Sequence, residues 1–245
     1  MAKLKFHLCL CVALFFCNTL LIAQNGVTKK SANGTRIHIG TGSGFYQLLT
    51  KHALTPSPGL NFTAGFRHEI HFDRTFKNYF AFGVDYLSHG LAYKSYYFEP
   101  NTVKIYDKSF PFQYQLYVHE LNLPLHYKYL FKRADNSLFS SYVSIGYHLR
   151  YLLASSLRVK QNGNQLIQDN PDIIFTNALF HDKLNAFVSC AIGWQKNNLA
   201  SSKGSFFVEL NARYGFSAFG FETDYSAASL RINGTLLCIQ LGFKI

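Results

Sequence analysis

Past its first two dozen residues the chain lacks any uninterrupted apolar run near the roughly 18 residues that a membrane-crossing helix needs. Crossing a bilayer by helices is thereby excluded for the remainder. Charge is scarce too: Asp, Glu, Lys and Arg make up 15% of 245 residues, against 48% hydrophobic ones. With 16 Tyr and 24 Phe besides, that balance excludes a disordered chain. Acids are the rarer charge, 13 against 24 Lys and Arg. Cysteine all but disappears after Cys17, leaving Cys190 and Cys238. No Cys/His spacing resembles a zinc site, so neither a metal nor another cofactor is expected.

The exceptional segment is the first one, "MAKLKFHLCLCVALFFCNTLLIAQ". Lys3 and Lys5 precede an apolar run from Leu8 to Ile22, and Ala23-Gln24 follow it. This is the layout of a secretory signal peptide, expected over 1–24, with a short lead at 25–33. A retained anchor is the alternative, but no stop-transfer flank follows. Phe16 beside Cys17 is too bulky for a lipoprotein cleavage site. Removal of 1–24 takes away two lysines and no acid, leaving 22 bases against 13 acids, a net charge of +9. An exported chain seldom meets nucleic acid. Anionic lipid headgroups and lipopolysaccharide phosphates are the expected counter-charges, with a merely solubilising basic surface as the bland alternative.

What the rest of the chain has in abundance is alternation. In "LNFTAGFRHEIHF" (60–72), Leu60, Phe62, Phe66, Ile70 and Phe72 fall on one parity and Asn61, Thr63, Arg67 and Glu69 on the other. A period of two is a β-strand. Seven further segments repeat it: 34–46, 78–88, 119–131, 141–153, 183–195, 205–216 and 235–245. Each has about 9–13 residues, longer than the usual globular strand and close to the 9–11 a tilted strand needs to cross hydrocarbon. The connections alternate as well. Segments 47–59, 90–112, 154–182 and 217–233 are long, while 73–78, 132–138 and 196–204 are short and polar.

The polar parity decides which side is wet. It carries Arg36, Arg67, Glu69, Asp85, Glu120, Lys128, Arg150, Glu209, Arg213 and Lys244 among many Gly, Ala and Ser residues. Small residues fit the narrow interior of an eight-stranded barrel, where opposite charges neutralise one another. A soluble surface would show more Lys and Glu and fewer glycines. The expectation is an all-β, eight-stranded antiparallel transmembrane up-and-down barrel over 34–245, apolar outside and charged inside. An exported soluble sandwich or lipocalin-like barrel is the alternative. Cys190 and Cys238 then lie on opposite faces, so two free thiols are expected. Phe45, Tyr46, Tyr86, Tyr127, Tyr129, Tyr151 and Trp194, near strand ends, fit interfacial aromatic girdles.

The segment "HELNLPLHYKYLF" (119–131) carries a family resemblance. Leu121, Pro124, Leu125, Lys128 and Tyr129 match the fourth strand of the PorT-like outer-membrane β-barrel family of Bacteroidota, while Asn122 and His126 depart from it. "SYVSIGYHLRYLL", "FFVELNARYGFSAF" and "LLCIQLGFKI" are similar to that family's fifth, seventh and last strands. The resemblance implies a porin-family barrel inserted into the cell outer membrane by the barrel-assembly machinery, and it implies no shared activity. The branch that gives the family its name is linked to protein secretion.

Catalytic and metal chemistry finds little support. His68 and His71 have opposite parity, as do His119 and His126, so neither pair can share a metal on one face. Glycine-rich "GTGSGF" (40–45) follows no βα pattern and is not a phosphate loop. His181 and Asp182, at the foot of a long connection, are the acid–base pair a rim enzyme would use, without other context. Eight strands leave room for side chains and little else. The expected role is therefore a non-enzymatic structural or interaction protein. Its surface connections, chiefly 154–182 and 90–112, would contact lipopolysaccharide, a surface partner or a secretion complex. A small-solute channel is the alternative.

Overall fold

The computed structural model describes residues 34–48, 57–72, 77–98, 105–107, 109–131, 139–169, 172–175, 184–196, 205–215, 219–222 and 232–245. The expected signal peptide, the lead at 25–33, and His181 and Asp182 lie outside the described residues. Eight long strands form the wall: β1 (Gly34–Leu48), β2 (Gly59–His71), β3 (Asn78–Ser95), β4 (Phe112–Leu130), β5 (Phe139–Gln161), β6 (Leu184–Lys196), β7 (Ser205–Gly215) and β8 (Ile232–Lys244). Each pairs antiparallel with its chain neighbours, and β1 pairs with β8, so the sheet closes on itself with no edge left along the wall. At the seam Ile39 stands opposite Leu241 on one side and Ala64 on the other.

This barrel is built inside out relative to a soluble protein. Leu60, Ile145 and Phe243 point outward and are 80%, 65% and 60% exposed. Glu69, Asp85 and Glu120 point inward and are fully buried. Period-two alternation produces both facts at once, since neighbouring residues on a strand face opposite ways. Cys190 lies exposed on the outer face and Cys238 is buried inside, both as free thiols.

Above one level the polarity inverts. Leu87, Glu120 and Leu152 pair side by side across β3, β4 and β5, and all three are buried. Below this row the inward residues are charged. Above it, apart from His89, Ser95 and Ser155, they are apolar: Leu91 and Tyr93 on β3, Phe112, Tyr114, Leu116 and Val118 on β4, Leu157 and Val159 on β5. Tyr93 and Tyr114 stack with ring centroids 4.7 Å apart. On β5 the change needs a bulge. His119 pairs with Ala154 but Glu120 pairs with Leu152, so Leu153 is the extra residue. Its insertion turns odd-numbered positions from outward below to inward above.

The long connections thus differ from expectation. The strands do not end near 88, 119 and 153; β3 runs to Ser95, β4 starts at Phe112 and β5 has 23 residues ending at Gln161, so the extensions of all three lie side by side. Segment 154–182 opens as strand and then turns back. Asn162 and Gly163 both adopt positive φ (48° and 82°), the two-residue hairpin geometry favoured by Asn-Gly. Asn164–Asp169 then pairs back onto β5. Shorter ladders link Tyr97–Phe98 with Ile105–Tyr106, and Asp172–Phe175 with Phe219–Glu222.

Pro124 breaks the wall on one side only. Its register partner on β5 is His148. Towards β3, pairing stops at Phe82–Leu125 and resumes at Asp85–Asn122, which leaves Gly83 and Val84 without register partners there. A proline has no N–H to give that ladder.

Candidate functional site

The lumen is the chemically dense part of the molecule, and register places its charges in three tiers. Nearest the short turns, Glu69 gathers three cations: Arg36 Nη1 at 3.2 Å and Lys128 Nζ at 2.9 Å on Oε1, and Lys244 Nζ at 2.9 Å on Oε2. Lys128 Nζ also donates to Gln195 Oε1 at 2.7 Å. Arg36 Cζ lies over the Phe207 ring, 3.4 Å from its centroid, and Lys128 Nζ lies 4.2 Å from the Tyr142 centroid. Gly193 makes space here, since a Cβ at that position would collide with the Tyr142 ring.

In the middle tier Glu209 and Asp85 face each other through arginines. Glu209 Oε2 accepts from Tyr142 Oη at 2.9 Å, and its two oxygens lie 3.5 Å from Arg36 Nη1 and Arg67 Nη1. Asn211 Nδ2 donates to Glu209 Oε1 at 3.1 Å. The Gln240 amide satisfies both neighbours when its nitrogen donates to Glu209 Oε1 (3.1 Å) and its oxygen accepts from Arg213 Nη2 (2.8 Å). Asp85 pairs with Arg67 Nη2 at 2.7 Å and Arg213 Nη2 at 3.5 Å, with His38 Nε2 at 3.3 Å. The top tier is a forked Arg150–Glu120 pair with His89 Nε2 at 3.5 Å.

All ten charges expected in the lumen therefore point inward; Arg36 and Arg67 link Glu69, Glu209 and Asp85 into one network, and Arg150–Glu120 forms a separate pair above it. Six cations meet four carboxylates, and the π-faces of Phe207, Tyr142 and Tyr79 absorb part of the excess. Ion pairs that reach across the lumen hold strands in register, because single losses leave a buried charge unmatched, while Arg36 Nε, Arg67 Nε and Arg213 Nη1 find no hydrogen-bond acceptor among the described residues. Among the described residues the side chains of the charged tiers are buried within the lumen, and buried apolar residues stand above the Leu87–Glu120–Leu152 row.

Of the seven aromatic positions, Phe45, Tyr127, Tyr151 and Trp194 stand outward and about half exposed, and Tyr86 and Tyr129 outward and partly covered. Tyr127, Tyr129 and Trp194 sit towards the short turns; Phe45, Tyr86 and Tyr151 sit towards the other end. Tyr86 Oη lies 2.7 Å from His119 Nδ1 on the outer face. Nothing is described of the Tyr46 side chain.

Sequence reasoning did not foresee a histidine pair. His126 Nε2 and His148 Nε2 are 2.9 Å apart in the lumen, and His148 Nε2 is 2.9 Å from Ser189 Oγ. Comparing histidines along single strands hid it; the register between β4 and β5, with Pro124 opposite His148, brings them together. A Ser–His contact invites comparison with a hydrolytic nucleophile. Here both groups are sealed from solvent, and His148 Nδ1 meets no acceptor among the described residues, so no acid orients the ring. Among the described residues no cluster of three or more His, Cys, Asp or Glu could hold a metal.

No family model matches this sequence, and no curated protein does. Several solved structures share the architecture. The N-terminal β-barrel domain of OprF from Pseudomonas aeruginosa aligns over 85% of this chain and 97% of its own, at 10% identity and a TM-score of 0.37. OprG from the same organism aligns over 88% and 95%, at 9% identity and a TM-score of 0.44. Neisserial surface protein A aligns over 84% and 96%, at 12% identity and a TM-score of 0.34. Likeness at this level has no bearing on function. The chain's own geometry shows a closed eight-stranded antiparallel barrel, apolar without and ionically filled within.

Proposed function

We propose that this protein is an integral outer-membrane barrel with a plugged lumen, acting through its projecting end as a structural or interaction protein. The observation that carries the reading is the inversion at Leu87, Glu120 and Leu152. Below it, apolar residues face out and charges face in, as hydrocarbon outside requires; above it the order is that of a water-exposed protein. Only a strand passing from lipid into water has reason to exchange its two faces in this way. The projecting parts of β3, β4 and β5, with the Asn164–Asp169 arm, form the surface offered to partners: lipopolysaccharide, a surface molecule or a secretion complex. The aromatic positions at the two ends act as interfacial girdles. Insertion by the barrel-assembly machinery and the PorT-like resemblance of Leu121, Pro124, Leu125, Lys128 and Tyr129 belong to the same reading, as does the absence of enzymatic activity.

Planar-bilayer recording tests it. The filled lumen and apolar cap predict no stable single-channel steps above leak. Reproducible steps would favour the small-solute channel instead.

A further inference from the structure

Below the inversion row every luminal acid meets cations. Above it, on the outer face of the same three strands, the opposite holds. Lys94, Gln113 and Lys160 stand side by side across β3, β4 and β5, and Ala92, Gln115 and Arg158 form the next row down. All six point away from the apolar cap, whose Tyr93, Tyr114, Leu157 and Val159 occupy the inward parity. The Leu153 bulge is what brings Arg158 and Lys160 to this face; in the register of lower β5 they would point inward. Lys94, Arg158 and Lys160 make no ion pair with an acid among the described residues.

Directly beneath lies the upper end of the apolar surface. Tyr117, opposite Gly90 and Ser156, is 39% exposed on the outer face, and Tyr86, Leu121 and Tyr151 follow below it. The Arg158 row is two residues above Tyr117 and the Lys94 row four. At about 3.3 Å per residue and a tilt near 40°, that is roughly 5 and 10 Å, within reach of long basic side chains bending towards a headgroup layer.

We infer that Lys94, Arg158 and Lys160 form a binding site for the phosphates of an anionic glycolipid of the lipid A type, whose acyl chains lie along the Tyr117–Tyr86–Tyr151 surface. Charge complementarity and continuity with the lipid-facing wall both favour this occupant. Arg158 supplies a planar fork for phosphate oxygens and the two lysines supply point charges. Gln113 and Gln115 between them bring amide donors and no negative charge. The inference rests on the membrane-barrel reading above.

The test uses the full chain folded in dodecylmaltoside, with lipid A retention measured by native mass spectrometry. The probes are bisphosphorylated lipid A, its dephosphorylated form, and millimolar inorganic phosphate as competitor. Each surface charge contributes about 5-fold, so Lys94→Gln/Arg158→Gln/Lys160→Gln should weaken bisphosphorylated lipid A binding roughly 100-fold. Dephosphorylated lipid A should bind weakly to both proteins, and inorganic phosphate should not compete. Equal binding by the triple variant, or by dephosphorylated lipid, would overturn the assignment, and effective competition by inorganic phosphate would overturn its lipid identity. Should the triple variant not fold, Arg158→Gln alone should cost about 5-fold. A wild-type chain that lacks a heat-modifiable gel band fails earlier, at the barrel reading itself.

Discussion

Glu209→Leu is the most informative single change in the lumen. Glu209 is buried and accepts from Tyr142 and Asn211 while standing between Arg36 and Arg67. Removing one partner of a buried ionic network typically costs about 3–5 kcal/mol, because the remaining charge stays desolvated. Neither arginine is left wholly alone here: Arg36 keeps Glu69 at 3.2 Å and Arg67 keeps Asp85 at 2.7 Å. The lower end, about 3 kcal/mol, is therefore expected. Glu209→Gln preserves the shape and one acceptor and loses the charge, so about 1–2 kcal/mol is expected from weaker hydrogen bonds alone. Glu209→Leu combined with Arg36→Met should recover part of the loss, since one excess cation goes with the anion while Glu69 keeps Lys128 and Lys244. Equilibrium urea unfolding in lipid vesicles, followed by heat-modifiable gel mobility, reads all three. A Glu209→Leu protein within about 0.5 kcal/mol of wild type, the scatter of ordinary surface substitutions, would refute a lumen held by charge pairing.

Two further changes probe other levels of the wall. Ile239→Arg, at a 55% exposed outer position on β8, should destabilise by about 2–4 kcal/mol in vesicles. Gln113→Arg, above the inversion row, should stay within about 0.5 kcal/mol; both are measured by the same unfolding assay. Deleting Leu153 removes the bulge and would turn Leu157 and Val159 outward and Arg158 and Lys160 inward. The variant is expected to lose the projecting sheet, seen as trypsin cleavage at Arg158 and Lys160 where the wild type resists.

Much of the wall was legible in the chain because a closed barrel enforces the two-residue period on every strand. Arg36, Arg67, Glu69 and Glu209 are recognisable as a set from parity alone. The projecting sheet was not legible, for a physical reason. On β3 the apolar parity switches from Phe80, Phe82 and Tyr86 to Leu87, Leu91 and Tyr93, although the backbone continues unchanged. The solvent changes, not the strand, and a reading that follows one apolar parity stops there. On β5 the Leu153 bulge disguises the same event, leaving odd positions apolar both below it (Leu149, Tyr151) and above Ser155 (Leu157, Val159). "QNGN" (161–164) was the available sign of the hairpin beyond. The His126–His148 contact needed the β4–β5 register, which no single strand supplies.

The chain carries its own reporter for the claim on which the rest stands. Cys190 lies exposed on the outer face beside Ile192 on the same parity, whereas Cys238 is buried inside. A nitroxide placed on Cys190, in a Cys238→Ala background and reconstituted in lipid vesicles, reports which solvent bathes the apolar wall. Hydrocarbon outside predicts high collision rates with molecular oxygen and almost none with a water-soluble nickel chelate. Ready access to the nickel chelate would place that wall in water and contradict the account.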